Sequence, residues 1–379
     1  MCSFKSFNKK PRVLCVIGTR PEAIKMAPVI LSLKSCANLE VVVLNTSQHK
    51  ELLEQTLKIF NIQPDLDLNI MKKNQKLGEL TSSLLKKLTK AFKQLKPDLV
   101  LAQGDTTTVM TTALTCFYEK IPFGHVEAGL RSYDIYNPYP EEFNRIIADR
   151  LASLNFAPTE RAKLNLIKEG IPENTIFVTG NTVIDALLYI AKQTYKPDGL
   201  FNLLQQNKKV ILVTLHRRES FHEPLFKIFS ALKILAKKHS KEFLIIYPVH
   251  PNPNVKNPAY KMLGNIPNIL LLPPLDYLTF INLLKKSWIV LTDSGGIQEE
   301  APALGKPVLV VRDTTERPEV IEHGLGKLIG RTPEKIISEV ENLLYNPEKY
   351  QKMAKGYSPY GDGKASKRIL KVIKKFFSL

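Results

Sequence analysis

Asp105, Glu127 and the adjacent pair Glu141 and Glu142 fall within residues 99–150, each just after or near a short apolar run, LVLA at 99–102 and IPFGHV at 121–126. Ligands of open α/β sheets gather outside the carboxyl ends of the strands. The acids would therefore meet at one rim, with Arg131, Arg145 and His125 nearby. Carboxylates beside fixed cations suit proton transfer next to an anionic substrate. Each acid taken singly also has a structural reading: Asp105 precedes a Thr run, and Asp is a common helix N-cap.

A second group of residues points to a phosphate-bearing ligand. In VLCVIGTRPEAIKMAPVI a strand, a glycine turn and a helix follow one another, and Arg20 and Lys25 stand at or near the helix start. There the dipole and unpaired N–H groups favour anions, although a plain turn with two surface cations has the same pattern. The loop is not GxGxxG, so no nicotinamide cofactor is expected. In WIVLTDSGGIQEEAPALGKPVLVV a strand runs into Ser294, Gly295 and Gly296 and opens a short helix. Two glycines let a diphosphate approach the backbone at a helix N-terminus. Glu300 could accept from ribose hydroxyls, as acids do in nucleotide sites, and Arg317 could grip phosphate oxygens with its planar fork. His216 and Arg217 follow one strand and His250 the next, the latter in a proline-rich turn that could equally be a stiffened loop.

The elements needed to position these side chains are visible as apolar runs. In the first half they fall at 13–17, 41–44, 99–102, 122–126, 154–157 and 176–179, and in the second at 210–214, 243–247, 269–272, 288–291, 307–311 and, weakly, 327–329. Near-continuous rather than alternating runs mark parallel strands covered on both faces. The expected class is α/β, with two doubly wound Rossmann-like domains facing a cleft. The first domain is expected over 1–190, rejoined by a C-terminal helix at 363–379, and the second over 191–362, with the break in the turn-rich segment at 191–207.

Composition narrows the class. Of 379 residues, 44% are hydrophobic and 24% charged, which is ordinary for a globular chain. No apolar run is long enough to span a membrane, and the basic start MCSFKSFNKKPR lacks the apolar segment of a secretory signal. Four cysteines without CxxC spacing argue against zinc and disulfides. A cytoplasmic enzyme without a metal is expected. The net charge of +18 is spread over lysine pairs and a basic tail, in which Ile369, Val372, Ile373 and Phe376 recur at helical spacing. An amphipathic last helix docked on the body accounts for that pattern, and weak association with a membrane surface is an alternative use of it. No aromatic RNA-binding motif or basic recognition helix stands out, so nucleic acid is not an expected partner.

The ordered set GTRPEAIKMAPVI, QGDTTT, HVEAGLRS, PEEFNR, TGNTVIDAL, HRRES, PVHPNPNV, TDSGGIQEEAPALGKPVLVVRDTTERPE and YGDG, spread from about Val13 to the C-terminus, resembles the non-hydrolysing UDP-N-acetylglucosamine 2-epimerases. The resemblance implies a glycosyltransferase-B-like fold, a homodimer, no cofactor, and interconversion of UDP-N-acetylglucosamine and UDP-N-acetylmannosamine for surface polysaccharide synthesis. It implies catalytic roles for Asp105, Glu127, Glu141 and His216. It assigns UDP binding to Arg20, Lys25, Phe280, Ser294, Gly295, Gly296, Glu300 and Arg317, and an activator pocket for a second substrate molecule to Gln48, Arg217 and His250, with Glu141. Leu275 and Leu215 depart from the pattern near the nucleotide, and Glu51 and Asn74 depart from the activated forms, losing a cation and gaining an acid where an anion would bind. Two other functions stay open: a hydrolysing relative releasing UDP and N-acetylmannosamine, and a non-catalytic nucleotide-sugar binder. A 2,3-diacetamido sugar is an alternative substrate.

Overall fold

The structure, a computed structural model, describes residues 9–46, 50–71, 75–193 and 208–379. Gln48, Asn74 and most of the expected break at 191–207 lie outside them, as does the side chain of Glu51. The chain forms two compact units, one of residues up to Ala186 together with Tyr360–Leu379, the other of Leu187–Pro359.

The first unit runs β1 (Arg12–Ile17), α1 (Arg20–Lys34), β2 (Glu40–Asn45), α2 (Lys50–Ile59), β3 (Leu66–Asp67), α3 (Leu77–Leu95), β4 (Leu99–Gln103), α4 (Thr107–Tyr118), β5 (Phe123–Val126), α5 (Glu141–Leu151), β6 (Leu154–Ala157), α6 (Glu160–Lys168) and β7 (Ile176–Val178), then the start of α7 (Thr182–Ala191), whose residues from Leu187 on belong to the second unit. Its strands form one sheet in the order β3-β2-β1-β4-β5-β6-β7, parallel throughout. The second unit runs β8 (Lys209–Thr214), α8 (Glu223–Lys238), β9 (Phe243–Pro248), α9 (Pro253–Leu263), β10 (Ile269–Leu272), α10 (Tyr277–Lys286), β11 (Ile289–Thr292), α11 (Gly295–Ala303), β12 (Val308–Val310), α12 (Pro318–Glu322), β13 (Gly326–Leu328), α13 (Pro333–Tyr345) and α14 (Pro347–Met353). Its order is β10-β9-β8-β11-β12-β13, again parallel.

Each strand expected from an apolar run forms, because a strand covered on both faces must be apolar at successive positions. Val13 to Ile17 and Leu99 to Ala102 are all fully buried. The exception is β3, a two-residue edge strand with no apolar run to mark it. In both sheets the chain reverses direction of growth after the third strand, so the two doubly wound units each have a switch point, between β1 and β4 and between β8 and β11. These are the Rossmann-like units expected.

The last helix, α15 (Ala365–Phe376), belongs to the first unit. Ile369 and Ile373 are fully buried, and Asp185 of α7 accepts from the amides of Ala365 at 3.1 Å and Ser366 at 2.8 Å. A carboxylate at a helix N-terminus satisfies amides that have no partner within the helix. Among the described residues no helix is long and apolar enough to cross a membrane.

Candidate active site

The turns that leave β1, β4 and β5 carry the first group of residues. Gly18 leads from β1 into α1, and a Cβ there would lie 2.6 Å from Thr46 Oγ1 and 2.8 Å from Thr108 Oγ1, so only glycine fits. Thr19 is the N-cap of α1 but gives no side-chain cap. Glu22 instead reaches back, accepting from the Gly18 amide at 2.7 Å and the Thr19 hydroxyl at 3.0 Å. Arg20 is the first residue of the helix and is half-buried.

Asp105 does not cap α4. Thr106 is the N-cap and accepts from the Val109 amide, which leaves the Asp105 carboxylate to pair with Arg145 of α5. Asn144 Nδ2 donates to the Asp105 carbonyl at 2.9 Å. Glu127 follows β5 with φ of 72°, a left-handed conformation that costs a non-glycine residue energy and that gathers at functional sites. Its buried carboxylate takes Lys25 Nζ at 2.7 Å on both oxygens, Asn181 Nδ2 at 2.8 Å, and Gln103 Nε2. Lys25, expected as a UDP ligand, is thus ion-paired with an expected catalytic acid. Glu141 opens α5, half-buried, one helical turn before Arg145. Its neighbour Glu142 turns inward and accepts from the amides of Ser132 and Tyr133 and from Arg145 Nη1.

Two residues expected at the rim sit beneath it. His125 is fully buried, with Nδ1 2.6 Å from Asp149 and Nε2 2.7 Å from the Gly104 carbonyl. Arg131 pairs with Asp149 at 2.7 Å and, through two nitrogens, with Glu169.

In the second unit the turns after β8 and β11 lie side by side, since Thr214 and Thr292 are in register. Fully buried Asp293 accepts from the amides of His216 at 3.1 Å and Arg217 at 3.0 Å, fixing the β8 turn. The His216 and His250 rings stack 5.9 Å apart. Burial lowers the His216 pKa, against the opposing pull of Asp293, and Arg217 and His250 lower it further. The neutral ring is the form this environment favours.

Ser294 is the N-cap of α11 without a side-chain cap, and the space over Gly296 is open to 4 Å. The helix therefore presents amides without a capping side chain, the arrangement that holds phosphate oxygens elsewhere. Glu300 accepts from the Tyr277 hydroxyl at 2.8 Å, and Phe280 is half-buried on the same helix as Tyr277, α10. Arg317, the N-cap of α12, pairs with Glu299. Arg217 pairs with Glu316, which Arg312 also holds. Burial works against the ionised Glu316 carboxylate, but the two guanidinium groups win and hold its pKa down at about 2. Leu215 is a core residue whose carbonyl accepts from Tyr247.

Gln103, Asn181, Asp293 and Glu316 are site neighbours with no sequence signal of their own. Asn181 lies within TGNTVIDAL and Asp293 within TDSGG, but amides and a buried acid at a strand end have no telling spacing. Among the described residues no cluster of three or more His, Cys, Asp or Glu side chains is placed to hold a metal.

The first unit offers carboxylates with distinct partners at its switch point and the second an uncapped, glycine-opened helix at its own, so the class is an α/β protein of nucleotide-binding type. A family model described as UDP-N-acetylglucosamine 2-epimerase matches residues 31–374. The chain is 50% identical over 370 residues to the UDP-N-acetylglucosamine 2-epimerase of Escherichia coli strain K12, covering 96% of this chain and 98% of that protein. It is similar to the crystal structure of the Neisseria meningitidis UDP-GlcNAc 2-epimerase bound to UDP-GlcNAc, with 48% identity, a TM-score of 0.88, and coverage of 96% and 100%. A putative UDP-N-acetylglucosamine 2-epimerase from Listeria monocytogenes gives a TM-score of 0.91 at 46% identity, covering 98% of this chain and 97% of that one. The chain belongs to the UDP-N-acetylglucosamine 2-epimerase family.

Proposed function

We propose that Asp105, Glu127 and Glu141 carry the proton transfers of a C2 epimerisation. The enzyme interconverts UDP-N-acetylglucosamine and UDP-N-acetylmannosamine without hydrolysis. The C1–O bond to UDP breaks with its electron pair leaving on the diphosphate, and a carboxylate removes the C2 proton to give a glycal. UDP then adds back at C1 and a proton reaches C2 from the opposite face. Inversion through a planar carbon needs a proton-transfer group on each side, so one acid would not suffice. The C2 hydrogen is weakly acidic, so stabilising the departing diphosphate is the larger task.

The observation that carries this reading is the contrast between two strand-end carboxylates of the first unit. Asp105 pairs with Arg145, while Glu127 sits buried against Lys25, Gln103 and Asn181. Two carboxylates held by separate partners on separate turns supply the pair of proton-transfer groups that inversion at C2 needs. His216 is the fourth catalytic residue. Arg20, Lys25, Phe280, Ser294, Gly295, Gly296, Glu300 and Arg317 bind the UDP moiety, in line with the uncapped N-terminus of α11 and with Arg317, which pairs with Glu299 of that helix. The first unit acts as the domain of the acids and the second as the UDP domain. The enzyme works as a cytoplasmic homodimer, and its product feeds surface polysaccharide synthesis. Activation by a second substrate molecule at Arg217 and His250 would have to compete with Glu316 for Arg217.

A proton NMR time course with UDP-N-acetylglucosamine in deuterium oxide tests the reaction. UDP-N-acetylmannosamine with deuterium at C2 and UDP still attached is the expected product. Free UDP with free N-acetylmannosamine would replace this reading with the hydrolysing one.

A further inference from the structure

Beneath the two carboxylate turns lies a buried ion network that the chemistry above does not use. His125 projects from β5 and Asp149 from α5, at 0% and 1% exposure. His125 Nδ1 lies 2.6 Å from Asp149 Oδ1 and Nε2 lies 2.7 Å from the Gly104 carbonyl. The other Asp149 oxygen accepts from the Gly129 amide at 3.2 Å and from Arg131 at 2.7 Å, and Glu169 grips the rest of the Arg131 guanidinium.

We infer that His125 and Asp149 are positioning residues that hold the Asp105 and Glu127 turns in fixed relation by gripping their backbones. The inference rests on the catalytic roles proposed above for those two acids. The Gly104 carbonyl belongs to the peptide unit that enters Asp105, so the bond from Nε2 sets the plane of that peptide. Gly104 has φ of 87° and no side chain to restrain it. The Gly129 amide lies two residues beyond Glu127, in a turn with φ of 85°. A Cβ on Gly129 would come within 2.3 Å of the Ala162 carbonyl, so that turn is wedged against α6 and has little slack. One carboxylate therefore ties together the turns after β4 and β5. From the same helix, α5, Arg145 reaches the Asp105 carboxylate and Asn144 its carbonyl.

Stability alone does not call for such a network. Replacing buried ion pairs with apolar side chains is often neutral, whereas removing one partner leaves an uncompensated charge. Misplacing a reacting group by about 1 Å can cost about a hundredfold in rate. Fixing two acids proposed to act on one carbon gives the network a purpose.

The test uses the full chain and compares His125→Leu, His125→Gln and Asp149→Asn with Asp105→Asn. Turnover and C2 deuterium incorporation are followed by NMR in deuterium oxide, and UDP affinity by calorimetry, at a temperature where circular dichroism shows each variant folded. His125→Leu and Asp149→Asn are expected to lower kcat and deuterium incorporation about 10- to 100-fold, with KM and UDP affinity within about twofold of wild type. His125→Gln, whose amide can still donate to the Gly104 carbonyl, is expected to recover most of the loss. Wild-type kcat in His125→Leu and Asp149→Asn overturns the inference, and so does a loss confined to KM. If His125→Leu or Asp149→Asn does not fold, Glu169→Gln, which only loosens Arg131 on Asp149, decides with a three- to tenfold fall in kcat, and an unchanged kcat there overturns it. Asp105→Asn with normal turnover would remove the catalytic reading itself. Asp105→Asn inactive beside fully active His125 and Asp149 variants would remove the positioning inference alone.

Discussion

Thr106, by taking the N-cap of α4, leaves the Asp105 carboxylate to a guanidinium on another helix. Glu127 is held by three donors, on α1, on β4 and in the turn before α7, so its position does not depend on its own rotamer preference. Asp105→Asn and Glu127→Gln are each expected to lower turnover by orders of magnitude while calorimetry shows UDP binding retained, because the role proposed for the acids is on the sugar. Turnover near wild type in either variant would contradict the assignment. Glu22 makes a separate prediction. Burial pushes its pKa from the ordinary 4.5 to about 7, against hydrogen bonds from Thr106, Gly18 and Thr19. The folded chain thus keeps a proton that the unfolded chain has released between those values. The resulting stabilisation is complete below about pH 4.5 and is lost as pH rises through about 7. Urea unfolding should show the stability of wild type relative to Glu22→Gln falling by roughly 1–3 kcal/mol from pH 4.5 to pH 8. A difference that stays flat with pH would mean that folding leaves the Glu22 pKa at its ordinary value.

At the level of elements, the site is made by turns rather than by strands. The β1–α1 turn closes over Thr46 and Thr108, whose hydroxyls lie 3.3 Å apart where an added methyl would go. Gly18→Ala should cost about 1–3 kcal/mol, seen as a lower urea midpoint with an unchanged slope. An unchanged midpoint would show that the two threonines can move aside. The C-terminal helix is bound to the first unit by Ile369, Ile373 and the Asp185 cap. Ile369→Ala should destabilise that unit by about 2–5 kcal/mol, since it empties a fully buried site. A change below about 0.5 kcal/mol would mean the helix frays independently of the core.

The whole molecule has separate cores, one lining the first sheet with its α3 and α4 helices and one lining the second with α8 and α13. Chains of this kind often unfold in more than one step. A ligand that binds only the folded chain raises its transition, by about 2.7 kcal/mol at a hundredfold excess over Kd. UDP in scanning calorimetry should do this for wild type. Arg317→Ala should lose most of the gain, because a charged hydrogen bond of this kind is worth roughly 1.5–3 kcal/mol. Equal protection of Arg317→Ala would remove Arg317 from the UDP site. The net charge of +18 suits an anionic substrate through long-range steering.

The near-continuous apolar runs by themselves determined the class, because a parallel strand with helices on both faces must be apolar at nearly every position. Strand ends were legible for the same reason, and with them the neighbourhood of Asp105, Glu127, His216 and Ser294. What each polar side chain does at those ends was decided only by the tertiary structure. Asp105 and Thr106 both suit a cap in sequence, and Arg145, forty residues on, settles which is released. His125 and Arg131 have the composition of a rim but turn inward, because Asp149 and Glu169 are placed to receive them. Lys25 meets Glu127 across 102 residues of chain, a pairing no local pattern encodes. Periodicity reports which face of an element is buried. The partner of a buried charge is chosen by long-range geometry, since desolvation makes an unpaired one too costly wherever the chain happens to bring it.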